Sequence, residues 1–121
     1  MSIDIIVPTY NRPNDIKKFI SEITKQTYSD YKVYIIDDCS DKDISHLIPD
    51  NKHFYYERLS KNIGQTGARN IAIKKGNGDI IISLDDDAWF LDNSAFENIE
   101  KLFSNNNNTG CFLFNIEEPN Q

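Results

Sequence analysis

Three consecutive carboxylates, Asp85, Asp86 and Asp87, stand between an apolar run and two aromatics in the stretch ISLDDDAWF, residues 82–90. No Lys or Arg lies within five positions on either side. Crowded like charges disfavour their own ionisation unless a cation joins them. Hard carboxylate oxygens suit Mg²⁺ or Mn²⁺, and such an ion would let an acidic protein hold a diphosphate. In an extended segment, alternation sends Asp85 and Asp87 to one side and Asp86 to the other. Other uses of the triplet fit less well. A helix N-cap needs one Asp, and Ser94-x-x-Glu97 already supplies a capping box for the next helix. A calcium loop of the EF-hand kind fails because Trp89 stands at a ligand position and no terminal Glu follows at the right spacing.

A second acidic pair, Asp37-Asp38, closes another apolar run. Acids at a strand end are often turn residues, the role expected of Asp41 and Asp43 nearby. The functional alternative is that one carboxylate accepts the N3–H of a uracil or thymine ring. Cytosine offers an acceptor at that position, whereas guanine also offers N–H donors, so the logic narrows the base without fixing it. Gly64-x-x-Gly67 with Arg69-Asn70 is not a dinucleotide fingerprint, and no phosphate-binding G-x-x-x-x-G-K-[ST] occurs. Taken alone, Arg69 reads as a solvated charge on a helix, and His46 and His53 as surface residues. Tyr55, Tyr56, Phe112 and Phe114 read as core and sheet-face aromatics.

The elements that must position these groups follow from periodicity. Residues 3–7 (IDIIV) and 32–36 (KVYII) are short β-branched runs, as expected of strands buried on both faces. Between them Pro13 suits a first helical turn, and Ile16, Phe19, Ile20 and Ile23 follow at helical spacing to about Gln26. Residues 53–59 predict a third strand, and 64–75 a helix ended by Gly76 and Gly78. Residues 79–84 (DIIISL) predict a fourth strand, 94–103 a helix, and 111–116 (CFLFNI) a last strand. The pattern predicts an α/β fold, a mostly parallel sheet of about five strands with helices on both faces. The expected order of the first four strands is 3-2-1-4. Ligands of such sheets bind beyond the carboxyl ends of the strands, where Pro8-Thr9-Tyr10, Asp37-Asp38 and Asp85-Asp86-Asp87 should converge.

Composition bounds the function. The chain has 121 residues, 39% of them apolar and 26% charged, with a net charge of −6, which fits one domain with a real core. An acidic chain is a poor nucleic-acid binder, because phosphates call for a basic face. Cys39 and Cys111 match no metal spacing and read as reduced thiols. The chain lacks a secretion signal and any stretch of about 18 apolar residues, so a cytoplasmic protein is expected.

The whole set resembles the nucleotide-binding half of a family 2 glycosyltransferase, of the inverting GT-A type. The likeness runs from Ile3 to about Asp92. It rests on IDIIVPTYNRP, KQTYSDY, VYIIDDCSD and NIGQTGARNIAIKKGNGDIIISLDDDAWF, in that order and spacing. The resemblance implies a Rossmann-like GT-A sheet that transfers a sugar from a nucleotide-diphosphate donor, of UDP or dTDP type, to a glycan or lipid-linked acceptor hydroxyl. It places Pro8, Thr9, Tyr10, Asp37 and Asp38 at the nucleoside and Arg69 near the nucleotide. Asp85 and Asp87 become the D-x-D positions for Mn²⁺ or Mg²⁺ and the diphosphate. Of these, Asp87 is the direct ligand and Asp85 lies nearer the ribose, with Asp86 between them. Members of the family continue beyond this length with an acceptor pocket and a catalytic base, so residues 1–121 read as a single domain, incomplete at its C-terminus, with no base assigned. An exposed apolar patch and self-association are then expected, as is peripheral placement at the inner membrane face through partners. The alternatives are a non-catalytic nucleotide- and metal-binding module, or an interaction domain whose acids are only solvated.

Overall fold

A computed structural model describes residues 1–118 of the chain. The chain runs β1 (Ile3–Thr9), α1 (Pro13–Ile23), β2 (Tyr31–Asp37), a short 3-10 turn (Ser45–Leu47), β3 (Phe54–Arg58), α2 (Gln65–Lys75), β4 (Ile80–Ser83) and α3 (Ala95–Asn105). The strands form one parallel sheet in the order β3-β2-β1-β4, the order expected from the sequence.

The apolar runs explain why β1 lies at the centre. All seven of its residues are buried, which only a strand flanked and covered on both faces achieves. Ile3, Ile5 and Val7 face a core shared with Ile16, Phe19, Ile23, Phe96 and Ile99 of α1 and α3. Ile6 faces the other way, into a smaller core with Tyr34, Ile36, Ala68 and Ala72. Helices therefore cover both faces, with α2 alone on the second. Phe19 and Phe96 are fully buried, each contributing about 1.5–3 kcal/mol relative to exposure.

Three expectations are corrected. Residues 111–116 form no strand, so the sheet has four strands and not about five. A short apolar run does not by itself distinguish strand from loop, and this one is held by ring contacts. Phe112 meets Phe103 and Phe114 meets Phe90, both edge to face. The capping box at Ser94 is also absent. The Ser94 hydroxyl donates to Asp92, and Glu97 accepts from Thr27. The head of α3 is capped from a distance, by Gln26 Oε1 accepting the Phe96 N–H at 3.0 Å. His53 is half-buried and stacked on Tyr31 rather than lying free on the surface.

Candidate functional site

The strand register brings the acidic segments together. Thr9 pairs with Asp37 across β1 and β2, and the main chain continues the ladder, with Asp38 N–H donating to Thr9 O at 2.9 Å. On the other side Ser83 pairs with Ile6, so β1 runs three residues past the end of β4. The chain beyond β4 turns there, with Ala88 N–H donating to Asp85 O at 3.2 Å. That turn lies against Thr9, and its three carboxylates go to three different environments.

Asp86 points inward. It is buried, accepts the Thr9 hydroxyl at 2.8 Å and pairs with Arg12 Nη1 at 3.2 Å. Burial pushes its carboxyl above the usual carboxylate range, against the opposing pull of Thr9 and Arg12. Asp87 and Asp85 point outward, with side chains 56% and 61% exposed. Asp87 lies 3.4 Å from the same Arg12 nitrogen, and Asp85 pairs with Arg69. The division of the triplet is the one alternation predicts, although a turn produces it and not an extended strand.

Arg69 is not the solvated charge its helical position suggests. Its guanidinium also donates to Ser83 Oγ at 2.8 Å and to Leu84 O at 3.0 Å, leaving the side chain 20% exposed. Arg12 escaped the sequence reading altogether. It stands just before Pro13, at the entrance to α1, and neighbouring carboxylates raise its already high pKa, Asp86 first and Asp87 next. The triplet has no basic neighbour in sequence but two in space.

The other acidic pair is satisfied by neutral donors. Asp37 is fully buried and accepts Ser40 N–H at 2.9 Å, the Ser40 hydroxyl and the Tyr56 hydroxyl at 2.7 Å. Burial and this carboxylate push the Tyr56 phenol far above its ordinary value. Asp38, also buried, accepts the N–H groups of Ile63 and Gly64 at 2.8 and 2.9 Å, one on each oxygen. Those amides lie in the loop just before α2 (Gln65–Lys75) and not in its first turn. Gly64 has φ +89° there, a conformation that favours glycine. Pro8 and Thr9 are buried, and Tyr10 is 45% exposed at the lip of the edge. Asn11, at φ +53°, ties the lip down through its N–H to Ser40 Oγ and its Oδ1 from Asp41 N–H.

The family model for glycosyl transferase family 2 matches residues 4–120. The chain belongs to that family. It is 35% identical over 108 residues to an uncharacterized glycosyltransferase of Rickettsia bellii, covering 86% of this chain and 15% of that protein. Over 106 residues it is 30% identical to the Escherichia coli UDP-Glc:alpha-D-GlcNAc-diphosphoundecaprenol beta-1,3-glucosyltransferase WfgD, covering 86% of this chain and 42% of that one. It thus spans less than half the length of these relatives. Among solved structures it resembles S. aureus TarS in complex with UDP-GlcNAc, with TM-score 0.80 and 23% identity over 88% of this chain and 32% of that one. It also resembles the mannosyltransferase PcManGT of Pyrobaculum calidifontis in complex with GDP-Man and Mn²⁺, with TM-score 0.77 and 22% identity over 84% and 32% of the two chains. These likenesses establish the GT-A arrangement of the family 2 sheet.

A divalent ion fits the donor set only in company. Among the described residues no group of three or more His, Cys, Asp or Glu side chains is placed to hold one. Mg²⁺-like ions, however, are usually held by one or two carboxylates plus substrate phosphates and water. Asp85 and Asp87 are the outward, well-exposed carboxylates of the turn, each paired with an arginine. No helix among the described residues is long and apolar enough to cross a membrane.

Proposed function

We propose that this chain is the donor-binding half of a glycosyltransferase that moves a sugar from a nucleotide diphosphate, of UDP or dTDP type, to an acceptor hydroxyl on a glycan or lipid-linked chain. The observation that carries this reading is the convergence of the Asp85–Asp87 turn with Arg12 and Arg69 at the carboxyl edge of a family 2 sheet. In this reading Pro8, Thr9, Tyr10, Asp37 and Asp38 form the nucleoside end. Each Asp38 oxygen already accepts one amide, and a carboxylate oxygen has capacity for a second hydrogen bond, here from the ring N3–H. Asp85, fixed by Arg69, lies toward the ribose. Asp87, with Asp85, holds Mn²⁺ or Mg²⁺, which when bound would neutralise the leaving diphosphate. Thr9 acts through Asp86 and the main chain rather than by a free hydroxyl. No described residue is assigned as the base that takes the acceptor proton. Leu91, Leu113 and Ile116, more than three-quarters exposed, favour self-association of the isolated chain, which light scattering would register as dimers or larger species.

A thermal-shift series with UDP-sugars tests the reading. UDP with Mn²⁺ should raise the melting temperature, with a stabilisation of about 2.7 kcal/mol at a hundred times the dissociation constant. EDTA should remove most of the shift. An equal shift in EDTA would take the metal out of the proposal, and no shift with any nucleotide would sink it.

A further inference from the structure

We propose that Arg12 is a built-in counter-cation that keeps free divalent metal off the acidic turn, so that the ion is retained only together with a diphosphate. The proposal rests on the donor-binding reading above and assigns a role to Arg12, which that reading leaves without one. Arg12 Nη1 spans two carboxylates of opposite character. Asp86, at 3.2 Å, has a side chain only 8% exposed, whereas Asp87, at 3.4 Å, is 56% exposed. The buried partner anchors the guanidinium, and the exposed partner is the one an incoming ion would use.

The charges then decide the order of binding. Three carboxylates with two guanidiniums leave the turn itself a single net negative charge, and Asp15, which acts on both Arg12 and Asp86, adds a second. Without Arg12 the attraction for a dication would be one charge greater. A diphosphate changes the balance, because its negative charge attracts both the ion and the guanidinium. Arg69 does not play this part. It is held by Ser83, the Leu84 carbonyl and Asp85 together and is 20% exposed, against 51% for Arg12. The Arg12 guanidinium donates to the two carboxylates alone among the described residues, and it precedes α1 rather than lying within it, so it can be replaced without touching a core.

Mn²⁺ titrations followed by electron paramagnetic resonance test this on the intact chain, with and without UDP. The wild type should bind Mn²⁺ alone weakly and far better with UDP. Arg12→Gln should tighten binding of Mn²⁺ alone roughly thirty-fold, the scale of removing one charge about 4 Å from a dication in water, before salt screening reduces it. It should also shrink the gain that UDP brings. Arg12→Lys, which keeps the charge and loses the fork, should stay within about two-fold of wild type. Unchanged Mn²⁺ affinity in Arg12→Gln, or tightening by Lys as large as by Gln, would overturn the role of Arg12 while metal-dependent UDP binding left the donor reading standing. Failure of the wild type to bind UDP with Mn²⁺ would overturn that reading and the inference with it.

Discussion

The two acidic segments at the carboxyl edge have similar composition and opposite physics. Asp37 and Asp38 are buried, and their partners are neutral: amides, a serine hydroxyl and a tyrosine hydroxyl. Asp85 and Asp87 are exposed, and their partners are arginines. Losing one member of a buried, hydrogen-bonded set leaves donors unpaired in a low dielectric and costs the full desolvation penalty. An exposed ion pair contributes little to stability and exchanges readily. The comparison teaches that the first pair builds the edge while the second offers exchangeable charge to a ligand. Asp86 lies between the two kinds, buried like the first pair yet joined to an arginine like the second.

The largest effect that would break this contrast is at Asp37. Asp37→Ala strands Ser40 and Tyr56 donors in the interior and should destabilise the fold by about 3 kcal/mol, measured by urea unfolding. Next comes Asp38→Ala, which leaves the Ile63 and Gly64 amides unpaired just before α2 and should cost about 2 kcal/mol. If Asp38 also accepts a ring N3–H, the variant should lose affinity for UDP and leave CDP binding nearly unchanged. Equal losses for both would make Asp38 a shaping residue only.

Asp86→Asn sharpens the middle case through pH. The folded state raises the Asp86 pKa above the usual carboxylate value, so between the unfolded and folded pKa values the native state binds more protons. Its contribution to stability is therefore present at low pH and lost as pH rises through the folded value. Asp86→Asn should then be no less stable than wild type at pH 7 and lose any advantage near pH 3.5, as read by unfolding curves at the two pH values. A loss of stability at pH 7 would mean the Arg12 pair outweighs burial. The smallest effect is expected at Asp87→Asn, within about 0.5 kcal/mol of wild type, together with loss of the Mn²⁺-dependent UDP shift. A large destabilisation would place Asp87 with the structural acids.

Much of this arrangement was legible in the sequence because it depends on period and order. The β-branched runs, the spacing of Ile16, Phe19, Ile20 and Ile23, and the alternation of strands and helices specified the sheet and its order. They also brought Asp37, Asp38 and Asp85–Asp87 to one edge. Arg12 was not legible, since its partners lie 74 and 75 residues away. A basic residue just past the end of β1, next to the strand that leads into the Asp85–Asp87 turn, is the signal that would have found it. Helix capping failed for the same reason, because Gln26 serves α3 across 70 residues, and local motifs such as Ser94-x-x-Glu97 do not register such partners. The strand expected at 111–116 failed because apolar content does not supply a ladder partner.

The central claim is that the turn of Asp85–Asp87, with Arg12, receives a metal-bound diphosphate at the carboxyl edge. Amide NMR spectra of the ¹⁵N-labelled chain with UDP and sub-stoichiometric Mn²⁺ test it most directly, because the paramagnetic ion broadens nearby signals first. The account predicts early loss of the amides of residues 9–12 and 85–88, and little loss without UDP. Early loss instead at the opposite end of the sheet, around Ser2, Asp30 and Lys52, or equal broadening with and without UDP, would contradict it.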